Sequence, residues 1–172
     1  EWKTTDGSYE STAFADFETF FNGIFEKHRV IDIIANFTLT MGGDKKIRIL
    51  AGYHQYFAVK KALECTKQDL QRNDGKIGVF WHTQGKSLSM VFYAHQLLKN
   101  LLSATLLVLT DRLDLNDQLH STFASCSDYL RQKPIKATDG ENLYELLEKR
   151  KSHGIIFANI QKFKDRDKLI TS

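Results

Sequence analysis

Gly85-Lys86-Ser87 stands between an apolar run, "KIGVFW" over 76–81, and a stretch that continues with helical spacing from Lys86. Those residue types in that setting can hold the phosphates of a nucleotide. Backbone N–H groups at a helix start surround the anion, a lysine reaches the β- and γ-phosphates, and a hydroxyl ligates magnesium. Lys86 is then the catalytic charge and Ser87 the metal ligand, with Thr83, Gln84 and Gly85 completing the loop. The loop is short: a full one carries four residues before Gly-Lys-Ser, and after the apolar run this chain offers only Thr83 and Gln84. The plainer alternative is a surface turn that happens to read Gly-Lys-Ser.

Such a loop needs a strand before it and a helix after it, and the hydrophobic pattern supplies both. From Ala51 onward long helical stretches alternate with short apolar runs: helix 52–71, strand 77–82, helix 86–101, strand 104–110, helix 114–125, helix 139–151 and strand 154–160. That alternation predicts an α/β fold, a parallel sheet covered by helices with its ligand at the carboxyl ends of the strands. "IGVFW", "ATLLVLT" and "GIIFANI" are apolar on both faces, as central parallel strands should be. Upstream, Phe14, Phe17, Phe20, Phe21, Ile24 and Phe25 recur at three- and four-residue steps, the mark of an amphipathic helix, and a second short helix runs from Val30 to Asn36. "FTLTMGGDKKIRIL" alternates, turns at Gly42-Gly43-Asp44 and alternates again, which predicts a β-hairpin. Residues 1–48 therefore form a helical and hairpin attachment to a domain that starts at about residue 49.

The bulk numbers fit one domain. The 172 residues are 42% hydrophobic and 26% charged, with a formal charge of +3 that permits a phosphate-rich partner without requiring one. No apolar run approaches a membrane span, and "EWKTTDGSYE" has neither a basic start nor an apolar core, so the expected location is the cytoplasm. Cys65 and Cys126 are far apart without ligand spacing and are expected to be buried, reduced thiols. His28, His54, His82, His95, His120 and His153 show no metal-binding pattern either.

"LAGYHQYFAV", "GVFWHTQG" running into "GKSLSM", "LVLTDRLDLNDQL" and "IIFANIQKF" together resemble, in order from about Ile49 to Phe163, the R (motor) subunit of type I restriction endonucleases. The resemblance implies a RecA-like P-loop lobe of a superfamily 2 translocase, using ATP and Mg2+ on duplex DNA beside methyltransferase (M) and specificity (S) subunits. By position, Gln55 resembles the glutamine that reads adenine, because a carboxamide can accept from N6 and donate to N7. Phe37 is a weak candidate for stacking on that base, with a core role as its alternative. Thr110 and Arg112 correspond to contacts on the DNA sugar-phosphate backbone, Arg112 offering a charged fork or, as the bland alternative, an ion pair with Asp111 or Asp114. A polar residue is more usual in the family where Leu113 stands. Asn159 and Gln161 correspond to a "Thr-Thr-x-Gln" element in which Ala158 and Asn159 replace the threonines.

The family loop reads Thr-Gln-Gly-Ser-Gly-Lys-Ser, two residues longer than Thr83 to Ser87. An omitted pair at its tip would account for the difference, and an intact mass would test that. The resemblance places the Asp-Glu-Ala-His box, the second motor lobe and the nuclease core outside these residues. Two readings follow: a piece of an ATP-dependent type I site-specific deoxyribonuclease that is inactive alone, or a non-catalytic docking module of a restriction complex with a degenerate loop.

Overall fold

A computed structural model of the chain describes residues 2–8, 16–42, 46–72, 75–81, 84–101, 103–149 and 154–162. The chain divides into two compact units, 1–96 and 97–172.

The first unit is built on helices. α1 (Phe17–Ile24) and α2 (Lys27–Asn36) are separated by Phe25 and Glu26, and both begin on a carboxylate. Asp16 accepts from the Thr19 N–H, and Glu26 accepts from the N–H groups of His28 and Arg29. These caps satisfy donors that a first helical turn cannot satisfy internally. β1 (Thr38–Met41) and β2 (Ile47–Leu50) form the expected antiparallel hairpin, with Thr38 opposite Leu50 and Met41 opposite Ile47. Residues 43–44 of its turn lie outside the described residues. α3 (Tyr53–Arg72) follows, and α4 (Lys86–Asn100) starts at the lysine of the Gly-Lys-Ser. Phe37 is fully buried, its ring 4.7 Å from that of Tyr56 and 5.7 Å from that of Phe92. The cluster joins the attachment to α3 and α4. Trp2 packs on the same helix, against Tyr53, Tyr56 and Phe57.

Between α3 and α4 the expected strand over 77–82 is not observed. Residues 76–81 carry no ladder pairing, and Ile77, Val79, Phe80 and Trp81 are exposed, Val79 at 98%. A strand exists only through a neighbour whose C=O groups accept from its N–H groups and whose N–H groups donate to its C=O groups, and none lies alongside among the described residues. Ile77, Val79 and Phe80 instead wall an apolar cleft of about 340 Å³ against Ala62, Cys65 and Met90. Cys65 is accordingly half-buried rather than buried, whereas Cys126 is fully buried and burial pushes its thiol up to about 11.

The second unit is an α/β layer structure. β3 (Thr105–Thr110), β4 (Ile135–Lys136) and β5 (Gly154–Asn159) make a parallel sheet in the order β3-β5-β4. Every residue of β5 is buried, which is why its sequence is apolar on both faces. α5 (Leu113–Ser125) covers one face, with the Phe123 ring 5.1 Å from that of Phe157. α7 (Gly140–Glu148) covers the other, where Leu143, Leu146 and Leu147 pack with Ala137, Ile156 and Ala158. α6 (Ser127–Leu130) and the two-residue β4 are too short to leave a periodic signal and were not expected. Asp139 caps α7 by accepting from the Asn142 N–H.

The three capping carboxylates make stability depend on acid. The Thr19 N–H holds Asp16 below its ordinary range, those of His28 and Arg29 do so for Glu26, and those of Asn142 with the Thr138 hydroxyl for Asp139. A lowered folded-state pKa means that the unfolded chain takes up protons first. The stabilisation is therefore present above the unfolded values, 3.8 for aspartate and 4.5 for glutamate, and is lost as pH falls through the folded ones. The expected result is an unfolding temperature that drops below about pH 4.5. A variant carrying Asp16→Asn, Glu26→Gln and Asp139→Asn keeps polar caps and should show a flatter acid limb in thermal melts; an unchanged limb would show that other groups carry the dependence.

Candidate functional site

The Gly-Lys-Ser segment forms a helix start. Lys86 is the first residue of α4 and is exposed, as are Gln84 and Gly85, while Ser87 is half-buried. Thr83 lies outside the described residues. Gly85 has φ +74°, in the left-handed region where a side chain is strained, and its carbonyl accepts from the Ser89 N–H at 3.1 Å and the Ser89 hydroxyl at 3.2 Å. The first-turn N–H groups of α4 have no intrahelical acceptor by the geometry of a helix, and the helix dipole favours an anion before them. That is the donor set a phosphate requires.

Gln55 is joined to this loop across thirty residues of sequence. Its Nε2 donates to the Gly85 carbonyl at 3.1 Å and its Oε1 accepts from the Gly52 N–H at 2.9 Å. Only 6% of the residue is exposed, so it is not a solvated helix glutamine. A β-carbon at Gly85 would stand 2.9 Å from Gln55 Nε2, so the glycine permits the contact as well as the turn. Both ends of the carboxamide are engaged here, and contact with a base requires their exchange. Ser89, in the first turn of α4, is the residue tied to the loop that the sequence motif did not mark; its signal is the four-residue step from Gly85, one helical turn.

Behind Gln55 on α3, Tyr56 donates to Asp32 Oδ2 at 3.0 Å and Lys60 pairs with the same oxygen at 2.9 Å, while Asn36 donates to Oδ1. Burial and the adjoining Asp32 push the Tyr56 hydroxyl up to about 12. Burial raises Asp32, but the donors from Asn36, Lys60 and Tyr56 outweigh it and the carboxyl titrates below its ordinary value. The network holds α2 against the helix that carries Gln55.

The second unit brings the four other expected residues together at one end of its sheet. Thr110 ends β3 and Asn159 ends β5, directly opposite each other in the parallel register, and the Ile160 N–H donates to the Thr110 carbonyl at 2.8 Å. Thr110 and Asn159 are buried; Arg112 and Gln161 are exposed. The Thr110 hydroxyl donates to the Arg112 carbonyl, and Asn159 Oδ1 accepts from the Gln161 N–H at 2.9 Å. Arg112 makes a two-point contact with Asp114, Nε to Oδ1 at 3.1 Å and Nη2 to Oδ2 at 2.6 Å. This pairing raises the guanidinium and lowers the carboxylate. With both side chains about two-thirds exposed, water screens the pair, so an incoming phosphate can displace Asp114 at little cost. Leu113 is exposed beside it.

Among the described residues no group of three or more His, Cys, Asp or Glu could hold a metal ion. Magnesium would instead depend on Ser87 and on phosphate oxygens, which fits a half-buried hydroxyl one residue into α4. No helix among the described residues is long and apolar enough to cross a membrane.

A family model described as SWI2/SNF2 ATPase matches residues 54–172. The type I restriction enzyme HindI endonuclease subunit of Haemophilus influenzae is 37% identical over 94% of the chain. A protein of Methanocaldococcus jannaschii bearing the description type I restriction enzyme MjaIXP endonuclease subunit is 37% identical over 93%. The chain spans only 16% and 15% of the lengths of these two curated relatives.

Proposed function

We propose, because the chain belongs to the SWI2/SNF2 ATPase family, that it is the first RecA-like lobe of the motor subunit of a type I restriction enzyme. Residues 49–172 are the lobe and 1–48 its connector. The observation that carries this reading is the bond from Gln55 to the glycine carbonyl of the Gly-Lys-Ser turn, which ties a carboxamide able to read a base to a helix start able to hold phosphates. ATP, bound with Mg2+, supplies the free energy of hydrolysis. Lys86 places positive charge where the γ-phosphate gains negative charge, the α4 N–H groups orient the β-phosphate, and Ser87 offers its hydroxyl to the metal. Gln55 leaves Gly52 and Gly85 for the adenine edge, so that loop shape and base identity become coupled.

The exposed Arg112 and Gln161 grip the backbone of duplex DNA, and the buried Thr110 and Asn159 set the turns that present them; that backbone carries no sequence information and so suits a motor that passes over any sequence. The full-length subunit then couples ATP hydrolysis to DNA translocation and endonucleolytic cleavage, in the cytoplasm, with M and S subunits as partners. The second reading, a docking module with a degenerate loop, draws on the shortened loop and on the absence of ladder pairing over 76–81.

Arg112→Ala in the full-length subunit tests the motor reading. It should weaken DNA binding equally for two unrelated duplexes and lower the slope of log affinity against log salt by roughly one counterion. DNA-stimulated ATPase should fall while nucleotide binding survives. Parallel salt slopes and unchanged stimulation would leave Arg112 as the surface partner of Asp114 and favour the docking module.

A further inference from the structure

Asn116 was not among the expected site residues, yet it is fully buried, and neither its Nδ2 nor its Oδ1 has a hydrogen-bond partner among the described residues. Asn159 is 1% exposed, and while its Oδ1 accepts from Gln161, its Nδ2 is likewise unpartnered. Buried carboxamide atoms left unpaired are costly, and a fold that retains three of them in one unit calls for a physical reason.

The two side chains belong to facing surfaces. Ile156 and Ala158 join the cluster under α7, so alternation along β5 turns Phe157 and Asn159 the other way, toward α5. The ring contacts of Phe157 with Phe123 and His120 place α5 on that side. On α5 the buried residues are Asn116, Leu119 and Phe123, one helical stripe. The helix follows β3 and runs back along the sheet, so its first turns lie at the carboxyl end of the strands. With Phe123 over Phe157, Asn116 falls toward Asn159.

We propose that Asn116 is a positioning residue whose Oδ1 accepts from Asn159 Nδ2, so that α5 fixes the carboxamide holding the Gln161 N–H. Rotation of the Asn116 amide makes the bond and satisfies two of the three orphaned atoms. Asn159 then stands between two elements of the DNA strip: its Oδ1 sets the turn that presents Gln161, and its Nδ2 is tied to the helix that begins after Arg112. The link from this pair to DNA rests on the motor reading above; the pair itself does not.

Hydrogen–deuterium exchange at the Gln161 amide in the full-length subunit tests it. In Asn116→Leu, which fills the same space without polar atoms, the Gln161 amide should exchange roughly tenfold faster, the size of one hydrogen bond, while thermal stability is held or raised. Asn116→Asp keeps an acceptor and should keep the slow exchange; it also serves if the leucine variant does not fold. Slow exchange retained in Asn116→Leu, or lost in Asn116→Asp, overturns the proposal and leaves Asn116 as packing. On two unrelated duplexes Asn116→Leu should also lower DNA affinity. Faster Gln161 exchange with DNA affinity unchanged supports the pair and sinks the DNA role of Gln161.

Discussion

Lys86→Ala is expected to lower the ATP-driven turnover of the full-length subunit by roughly 100- to 1000-fold, the loss seen when one aligned donor is removed from developing charge. The same change should leave the fold intact. Lys86 is exposed at the first position of α4, so its removal creates no cavity, and alanine is at least as good a helix former. Surface substitutions of this kind shift stability by about 0.5 kcal/mol or less. The measurement is therefore paired, a steady-state ATPase assay with DNA present and a thermal melt of the same protein. A well-folded variant with unchanged ATPase would refute the phosphate-loop assignment. A variant that loses activity and several degrees of stability together would mean that Lys86 supports the fold instead.

Phe37→Ala carries the largest expected effect on stability. The ring is fully buried between Tyr56 and Phe92, and truncating a buried phenylalanine costs about 3–5 kcal/mol through lost transfer energy and the cavity left behind. Against a typical total of about 5–15 kcal/mol, that endangers the unit containing α3 and α4. The experiment decides between the two roles open to Phe37. A core residue gives a lower urea midpoint in the absence of nucleotide, with Phe37→Leu losing much less because it retains most of the volume. An adenine-stacking residue would give a nearly unchanged midpoint and weaker ATP binding. Its burial predicts the first result.

These expectations differ in where their evidence arises. The helix beginning at Lys86, the hairpin, and the buried strand "GIIFAN" were legible in the sequence because each is set by local periodicity: 3.6 residues per turn, or alternation, or apolarity on both faces. Residue type and order likewise marked Gly85-Lys86-Ser87, and the four ordered motifs marked the family, without any knowledge of packing. Tertiary structure decided what depends on a partner distant in sequence. Apolar character made "KIGVFW" a strand candidate, but a strand requires a neighbouring edge, and residues 76–81 find none among the described residues. The type of Gln55 suggested base reading; only the fold brings Gly85, thirty residues on, within 3.1 Å of it. Thr110 and Asn159 were separate candidates until the β3–β5 register set them opposite each other. Asn116 gave no local signal, since a polar residue four positions after Arg112 ordinarily faces water; the packing of α5 on β5 is what buries it. Backbone geometry repeats over a few residues and can be read in one dimension, whereas side-chain hydrogen bonds and burial arise from chain segments brought together in space.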